Sequence, residues 1–236
     1  MIGRLAFKQD SPEVKHICAQ DRAFKRLVDL VGDVQMPPLR SADVFESLVR
    51  SIVGQQLSGK AAAAIWARIQ ALCGGVPHGQ ESADEGTAPP SDSLAKAIVT
   101  PSRLSALDDD TLRAAGLSRP KVTYVRDLCR RVQGGEIDPD GVRALSDADL
   151  IATLTQVKGI GEWTCQMLMI FTLGRMDVFA PADLALRKGV RWLYGLEEVP
   201  RVKELLTISD RWKPYRTVAS LYLWEVANLS SSRPNA

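Results

Sequence analysis

What most restricts the fold of this chain is a recurring pattern: apolar residues at helical spacing, opened by a capping residue and closed by glycine. Val44, Phe45, Leu48, Val49, Ile52 and Val53 repeat in this way behind Asp43, with Glu46 placed to complete a capping box. Ser58 precedes an alanine-rich helix over 59–69 that ends by Cys73-Gly74-Gly75. Residues 108–115, closed by Gly116, read as a short helix. Residues 118–132 read as a longer one, with Pro120 in its first turn and Gly134-Gly135 after it. Ser146-Asp147-Ala148-Asp149 opens another, and further helices are predicted over 161–173, 183–194 and about 214–228. The stretch 76–93, rich in Gly, Pro, Ser and acid, reads as a flexible surface loop. Neither a strand series nor an internal repeat emerges, so the fold class is all-α.

A length of 236 residues suits one substantial core or two small ones. No apolar run approaches the roughly 20 residues a membrane span needs, and charge interrupts the N-terminus too early for a secretion signal. Cys18, Cys73, Cys129 and Cys165 are far apart and form no C-x-x-C pair, which argues against a zinc or iron–sulfur site and for reduced thiols. His16 and His78, the only histidines, are too few for a metal cluster or a triad and read as surface residues. A net charge of +2 permits a nucleic-acid partner only through placed groups, not through a bulk field.

Two pieces of the chain carry chemistry. Val157-Lys158-Gly159-Ile160-Gly161-Glu162-Trp163-Thr164 sets two glycines around one apolar residue between two helices. Such a turn needs glycine for its backbone angles. The helix that follows aims free N–H groups and the positive end of its dipole outward, as an anion site. Lys158 adds a positive charge there; the plainer reading is a simple helix connection. Downstream, Pro181-Ala182-Asp183 places a lone carboxylate at the start of a helix, where it also fits an N-cap.

The first of these motifs resembles the helix-hairpin-helix of the DNA glycosylase superfamily. Asp177-Val178-Phe179-Ala180-Pro181-Ala182-Asp183 resembles the segment that carries that family's catalytic aspartate. Arg211-Trp212-Lys213-Pro214-Tyr215-Arg216 with Tyr222-Leu223-Trp224 resembles the C-terminal signature of its 3-methyladenine DNA glycosylase II branch. Ser51-Ile52-Val53-Gly54-Gln55-Gln56-Leu57-Ser58 resembles that branch's DNA-entering segment. The four motifs stand in the family's order between about Ser41 and Asn228. Lys158 replaces the usual hairpin proline, and Trp163 stands where bifunctional members carry a Schiff-base lysine. The iron–sulfur cysteines and the β-rich N-terminal domain of longer relatives are absent from the pattern.

The resemblance implies two helical subdomains flanking a DNA-binding cleft: 44–175 with the hairpin, and 1–43 plus 176–236 with Asp183. It implies a monofunctional glycosylase of base-excision repair that flips alkylated bases of the 3-methyladenine or 7-methylguanine type and hydrolyses their glycosidic bond. Asp183 is then the catalytic residue, because a carboxylate stabilises the cationic sugar and orients water. Asp177 is its rival, read as a capping or paired acid. Trp163 and Trp224 match base-pocket positions, and both also fit core tryptophans. Phe45, Met167 and Tyr222 are further pocket candidates.

Gln56, and with it Gln55, matches the wedge that fills the gap left by the flipped base; two solvated residues at a helix end is the other reading. Phosphates are expected at Lys158, Gly159 and Gly161, helped by Lys60 and Arg187. The carbonyls of Thr155, Val157 and Ile160 match those that hold a sodium or potassium ion in related hairpins; no other cofactor is expected. The expected partner is double-stranded DNA with damaged bases, bound by a monomer without a membrane, in a cytoplasmic, nucleoid-associated setting. A glycosylase for deaminated or oxidised bases, and a non-catalytic DNA-binding module, are the competing readings.

Overall fold

The computed structural model describes residues 6–36, 43–74 and 99–231, with side chains described as far as Val226 in the last helix. The predicted loop over 76–93 and His78 lie outside the described residues. The described chain is helical apart from one short ribbon, and it folds as two compact units, residues 1–40 with 166–236, and residues 41–165.

In the unit of residues 41–165, the elements are α1 (Val44–Gly54), α2 (Gly59–Leu72), α3 (Pro101–Ala106), α4 (Asp109–Ala114), α5 (Arg119–Gln133) and α6 (Asp147–Leu154). The start of α7 (Glu162–Phe171) also belongs here, and the division falls inside that helix. The helix starts are local decisions. Asp43 accepts from Glu46 N at 2.8 Å, Ser58 from Ala61 N at 3.3 Å, Asp108 from Thr111 N at 2.6 Å and Ser146 from Asp149 N at 3.1 Å. Each cap satisfies an N–H that the first turn leaves without a partner, for about 1 kcal/mol. Helix α5 packs on α1, α3 and α4, and its buried face is Val122, Val125, Leu128 and Cys129.

The other unit contains a ribbon of Ala6–Phe7 paired antiparallel with Val34–Gln35 and the helices Pro12–Gln20 and Arg22–Val31. It also holds the rest of α7 and then α8 (Leu184–Tyr194), α9 (Val202–Ser209) and α10 (Arg216–Ser231). Its buried polar centre is Asp21. This carboxylate caps Arg22–Val31 through Ala23 N and Phe24 N, and accepts from Tyr194 Oη and from Trp212 Nε1. Helices α8 and α10 cross closely because position 189 is glycine: a Cβ there would stand 2.7 Å from the Leu223 carbonyl oxygen. That approach brings the first turn of α8 beside Trp224. Among the described residues no helix is long and apolar enough to cross a membrane.

Candidate active site

Asp183 sits where the chain turns from a buried stretch, Val178 to Pro181, into α8. Its Oδ1 accepts from Leu186 N at 2.9 Å, so the expected cap is made. The same oxygen accepts from Trp224 Nε1 at 3.3 Å. The Trp224 ring in turn stacks on Phe171, with centroids 5.5 Å apart and planes inclined by 29°. A carboxylate gripped by its own helix and by an indole N–H has one orientation. Asp177 is differently placed. Its carboxylate is held in a fork by Arg216, Nε to Oδ1 at 2.7 Å and Nη2 to Oδ2 at 3.0 Å, which makes it a structural ion pair.

Phe171 escaped the sequence reading although a signal was present. Trp163, Met167 and Phe171 recur every four residues and so form one stripe of α7. Trp163 is 45% exposed, a large fraction for an indole, whereas Met167 and Phe171 are half-buried. Two of the expected pocket residues are corrected. Tyr222 is fully buried, its hydroxyl donating to the Gly32 carbonyl at 3.0 Å and its ring set edge-on to Phe24. Phe45 is 2% exposed on the buried face of α1. Both side chains are core, because helical spacing alone does not say which aromatic face meets solvent.

The hairpin turn spans residues 155–161 between α6 and α7. Val157 and Ile160 are buried and anchor it, with Ile160 N donating to Val157 O at 3.1 Å. Gly159 has φ +80°, and a Cβ there would fall on the Tyr124 ring, 2.6 Å from Cγ and Cε2. Glycine is therefore demanded twice at 159, by conformation and by space. Gly161 differs: its φ is not positive, and among the described residues an added Cβ would meet nothing within 4 Å, so none of them requires glycine there. The exposed Lys158 side chain borders the turn, while its backbone N–H donates to Asp127 Oδ2 at 3.0 Å. Lys60 is exposed in the first turn of α2. Arg187 is half-buried, and its Nε donates to Pro200 O at 3.2 Å, which commits part of the guanidinium to α8 packing.

Asp127 is a second residue the sequence reading missed. Burial alone would push its carboxyl upward. The Lys158 N–H and the guanidiniums of Arg131 and Arg130 outweigh that and hold it below its ordinary 3.8. A lowered value in the folded state means that the charged carboxylate stabilises the fold above pH 3.8. That contribution is lost as pH falls below 3.8 through the folded value. Asp127→Asn is thus expected to flatten the acid limb of the melting temperature below about pH 4. Thermal melts across that range test it, and an acid limb as steep as the parent's would show that Asp127 does not carry the effect.

The junction of α1 and α2 separates the two glutamines. Gln55 is corrected from wedge to tether: its Nε2 donates to Gly159 O at 2.7 Å, and its own carbonyl accepts from Lys121 Nζ at 2.7 Å. Gln56 is exposed at φ +56°, in a turn closed by Leu57 N donating to Gly54 O at 3.2 Å. With Gln55 at φ −53°, ψ 130°, this is a type II turn that puts glutamine where glycine is favoured. Leu57 beside it is 40% exposed.

The thiols supply no nucleophile, since burial pushes Cys129 and Cys165 up to about 11. His16, read as a surface residue, is half-buried, its Nε2 2.9 Å from the Lys213 carbonyl. Among the described residues no group of His, Cys, Asp and Glu is arranged to hold a metal ion.

A fixed carboxylate, an exposed indole and a glycine turn between helices are compatible with an enzyme of DNA repair, and comparison with known proteins gives that class. The family model described as HhH-GPD superfamily base excision DNA repair protein matches residues 49–214, and the chain belongs to that superfamily. DNA-3-methyladenine glycosylase 1 of Schizosaccharomyces pombe is 34% identical over 219 residues, covering 91% of this chain and 86% of that protein. Among solved structures, a DNA-3-methyladenine glycosidase from Bacillus halodurans is 39% identical, with a TM-score of 0.79 over 97% of this chain and 95% of its own. The S. pombe 3-methyladenine DNA glycosylase in complex with abasic DNA is 32% identical, with a TM-score of 0.76 over 95% of this chain and all of its own.

Proposed function

We infer that this protein is a monofunctional DNA glycosylase that removes alkylated bases, with Asp183 as its catalytic residue. The observation that carries this reading is the fixed orientation of Asp183 between Leu186 N and the Trp224 indole. In the reaction the bond from C1′ to the base nitrogen breaks, and its electron pair leaves with the base. The sugar becomes an oxocarbenium ion, which the Asp183 carboxylate stabilises. Water then adds to C1′ and gives its proton to Asp183 or to solvent, leaving an abasic site. A base alkylated at a ring nitrogen is cationic before cleavage and departs neutral, so a single acid is enough. An indole face attracts such a cation, which suits the exposed Trp163 and the Trp224 stacked on Phe171.

Docking follows the hairpin. Among the described residues neither Gly159 N–H nor Gly161 N–H has an internal acceptor, and the start of α7 lies there with Lys158 beside it. Lys60 is a further phosphate contact, and Arg187 a weaker one because Pro200 already engages it. Gln56 is the wedge, able to hydrogen-bond the base left without a partner. The Thr155, Val157 and Ile160 carbonyls are oxygen donors suited to sodium or potassium; Val157 O already accepts one hydrogen bond and keeps a second lone pair. Trp163 has no amine, so it forms no Schiff base and the strand is left uncut.

Incubation with duplexes that each carry one defined lesion tests this reading. Base release from 3-methyladenine or 7-methylguanine duplexes is expected, with strand breaks only after alkali and no borohydride-trapped adduct. Release of uracil or 8-oxoguanine alone would overturn the substrate class, and nicking without alkali would overturn the monofunctional assignment.

A further inference from the structure

The Gln56 turn and the hairpin turn are far apart in sequence, yet both are held by one stripe of α5. Lys121 Nζ donates to the carbonyls of Val53 at 2.8 Å and Gln55 at 2.7 Å, at the C-terminal end of α1. One turn further along α5 the Tyr124 ring occupies the space that a side chain at 159 would need. Asp127, in the next turn, takes the Lys158 N–H, and is itself held by Arg131 and Arg130. The Gln55 side chain closes the ring by donating to Gly159 O at 2.7 Å. These positions cover about a third of the helix circumference.

Anchoring α1 does not by itself require this. A helix C-terminus is ordinarily finished by glycine or water, whereas here a lysine is drawn half under the surface with two carbonyls as its acceptors. The carbonyl of Gln55 is also the middle one of the type II turn, and holding it holds Gln56 at φ +56°, where an L side chain is strained. Keeping a side chain at a place that suits glycine makes sense when that side chain must be presented in a fixed direction.

The geometry points to α5 as a brace that makes the Gln56 turn and the hairpin turn one rigid piece, with Gln55 and Lys121 as positioning residues. Gripping the DNA backbone at the hairpin then sets where Gln56 enters the duplex. This rests on the reading of both turns as DNA-contacting. It adds that docking and base flipping are mechanically coupled within residues 53–161.

Gln55→Ala in the full-length protein cuts the direct link. The probe is a duplex with a tetrahydrofuran abasic analogue, with 2-aminopurine beside the site in a second duplex. Hydrogen exchange of the wild type is expected to show DNA protecting both 54–58 and 157–162. In Gln55→Ala the hairpin stays protected and 54–58 loses protection. The 2-aminopurine flipping signal and single-turnover excision are expected to drop roughly three- to tenfold, and duplex Kd to stay within about twofold. Equal protection of both turns in the variant, or unchanged flipping, overturns the coupling. So does a uniform loss of binding and melting temperature, the mark of a merely structural role. Lys121→Met attacks the same peptide from the α5 side and should show the same split, with Lys121→Arg restoring part of it. If the wild type releases no alkylated base while exchange behaves as stated, the brace stands and the proposed function falls.

Discussion

Asp183→Asn is expected to abolish most excision while leaving the fold intact. Asparagine caps a helix about as well as aspartate, so the Leu186 N–H keeps its acceptor and stability should change by less than about 0.5 kcal/mol. What disappears is the negative charge that the proposed reaction sets against the sugar. Loss of a placed electrostatic group costs about 10²–10³ in rate, so single-turnover release of an alkylated base should fall at least a hundredfold. A rate within a few-fold of wild type would remove Asp183 from the chemistry. Asp177→Asn is the control, since it has the same side-chain chemistry in the same segment. It gives up the forked pair with Arg216, part-exposed and therefore worth only about 1 kcal/mol. Stability should drop slightly and excision should persist. If the two variants behaved in the opposite way, the acid would be Asp177.

The two glycines of the hairpin should separate fold from docking. Gly159→Ala forces an L side chain to φ +80°, about 1–2 kcal/mol, and drives a methyl into the Tyr124 ring, roughly another 1–3 kcal/mol. A fall in melting temperature on the order of 10 °C follows for a chain of this size. Gly161→Ala has no such cost, because among the described residues its Cβ meets nothing within 4 Å. It should melt within about 2 °C of the parent and still lose duplex affinity, since the methyl stands beside the N–H groups proposed to meet a phosphate. Anisotropy titrations with a fluorescent duplex measure the second effect. Wild-type affinity in Gly161→Ala would mean that the backbone at 161 does not touch DNA.

Much of the helical frame was legible because helix starts are decided locally. Asp43, Ser58, Ser146 and Asp183 cap as their sequence positions suggest, and Asp108, read as the first residue of its helix, caps it instead. The helices that escaped, Pro12–Gln20, Arg22–Val31, α3 and α9, are ten residues or shorter. Helices of that length are marginal alone and form because a neighbour buries one face. The strand pair of Ala6–Phe7 with Val34–Gln35 was invisible for a similar reason: two residues have no periodicity. The last helix starts at Arg216, two residues later than predicted and after Pro214.

The site divides along the same line. The glycine turn, the acid at the head of α8 and the tryptophans are sequence-local features and could be picked out in order. Which of two similar residues acts is a different matter. Gln55 and Gln56 are neighbours of identical chemistry, and only the Gly159 carbonyl, 104 positions away from Gln55, makes one a tether and leaves the other exposed. Asp177 is set apart from Asp183 by Arg216, and Trp224 from Tyr222 by what each ring finds to bond. Lys121 and Asp127 carry no signal in their own helix, because the acceptor of one and the donor to the other come from distant turns. A hydrogen bond's value depends on whether its partners are shielded from water, and that shielding is supplied by segments far away along the chain. Element type, caps and turns therefore belong to the sequence, and the assignment of roles among equivalent side chains belongs to the packing.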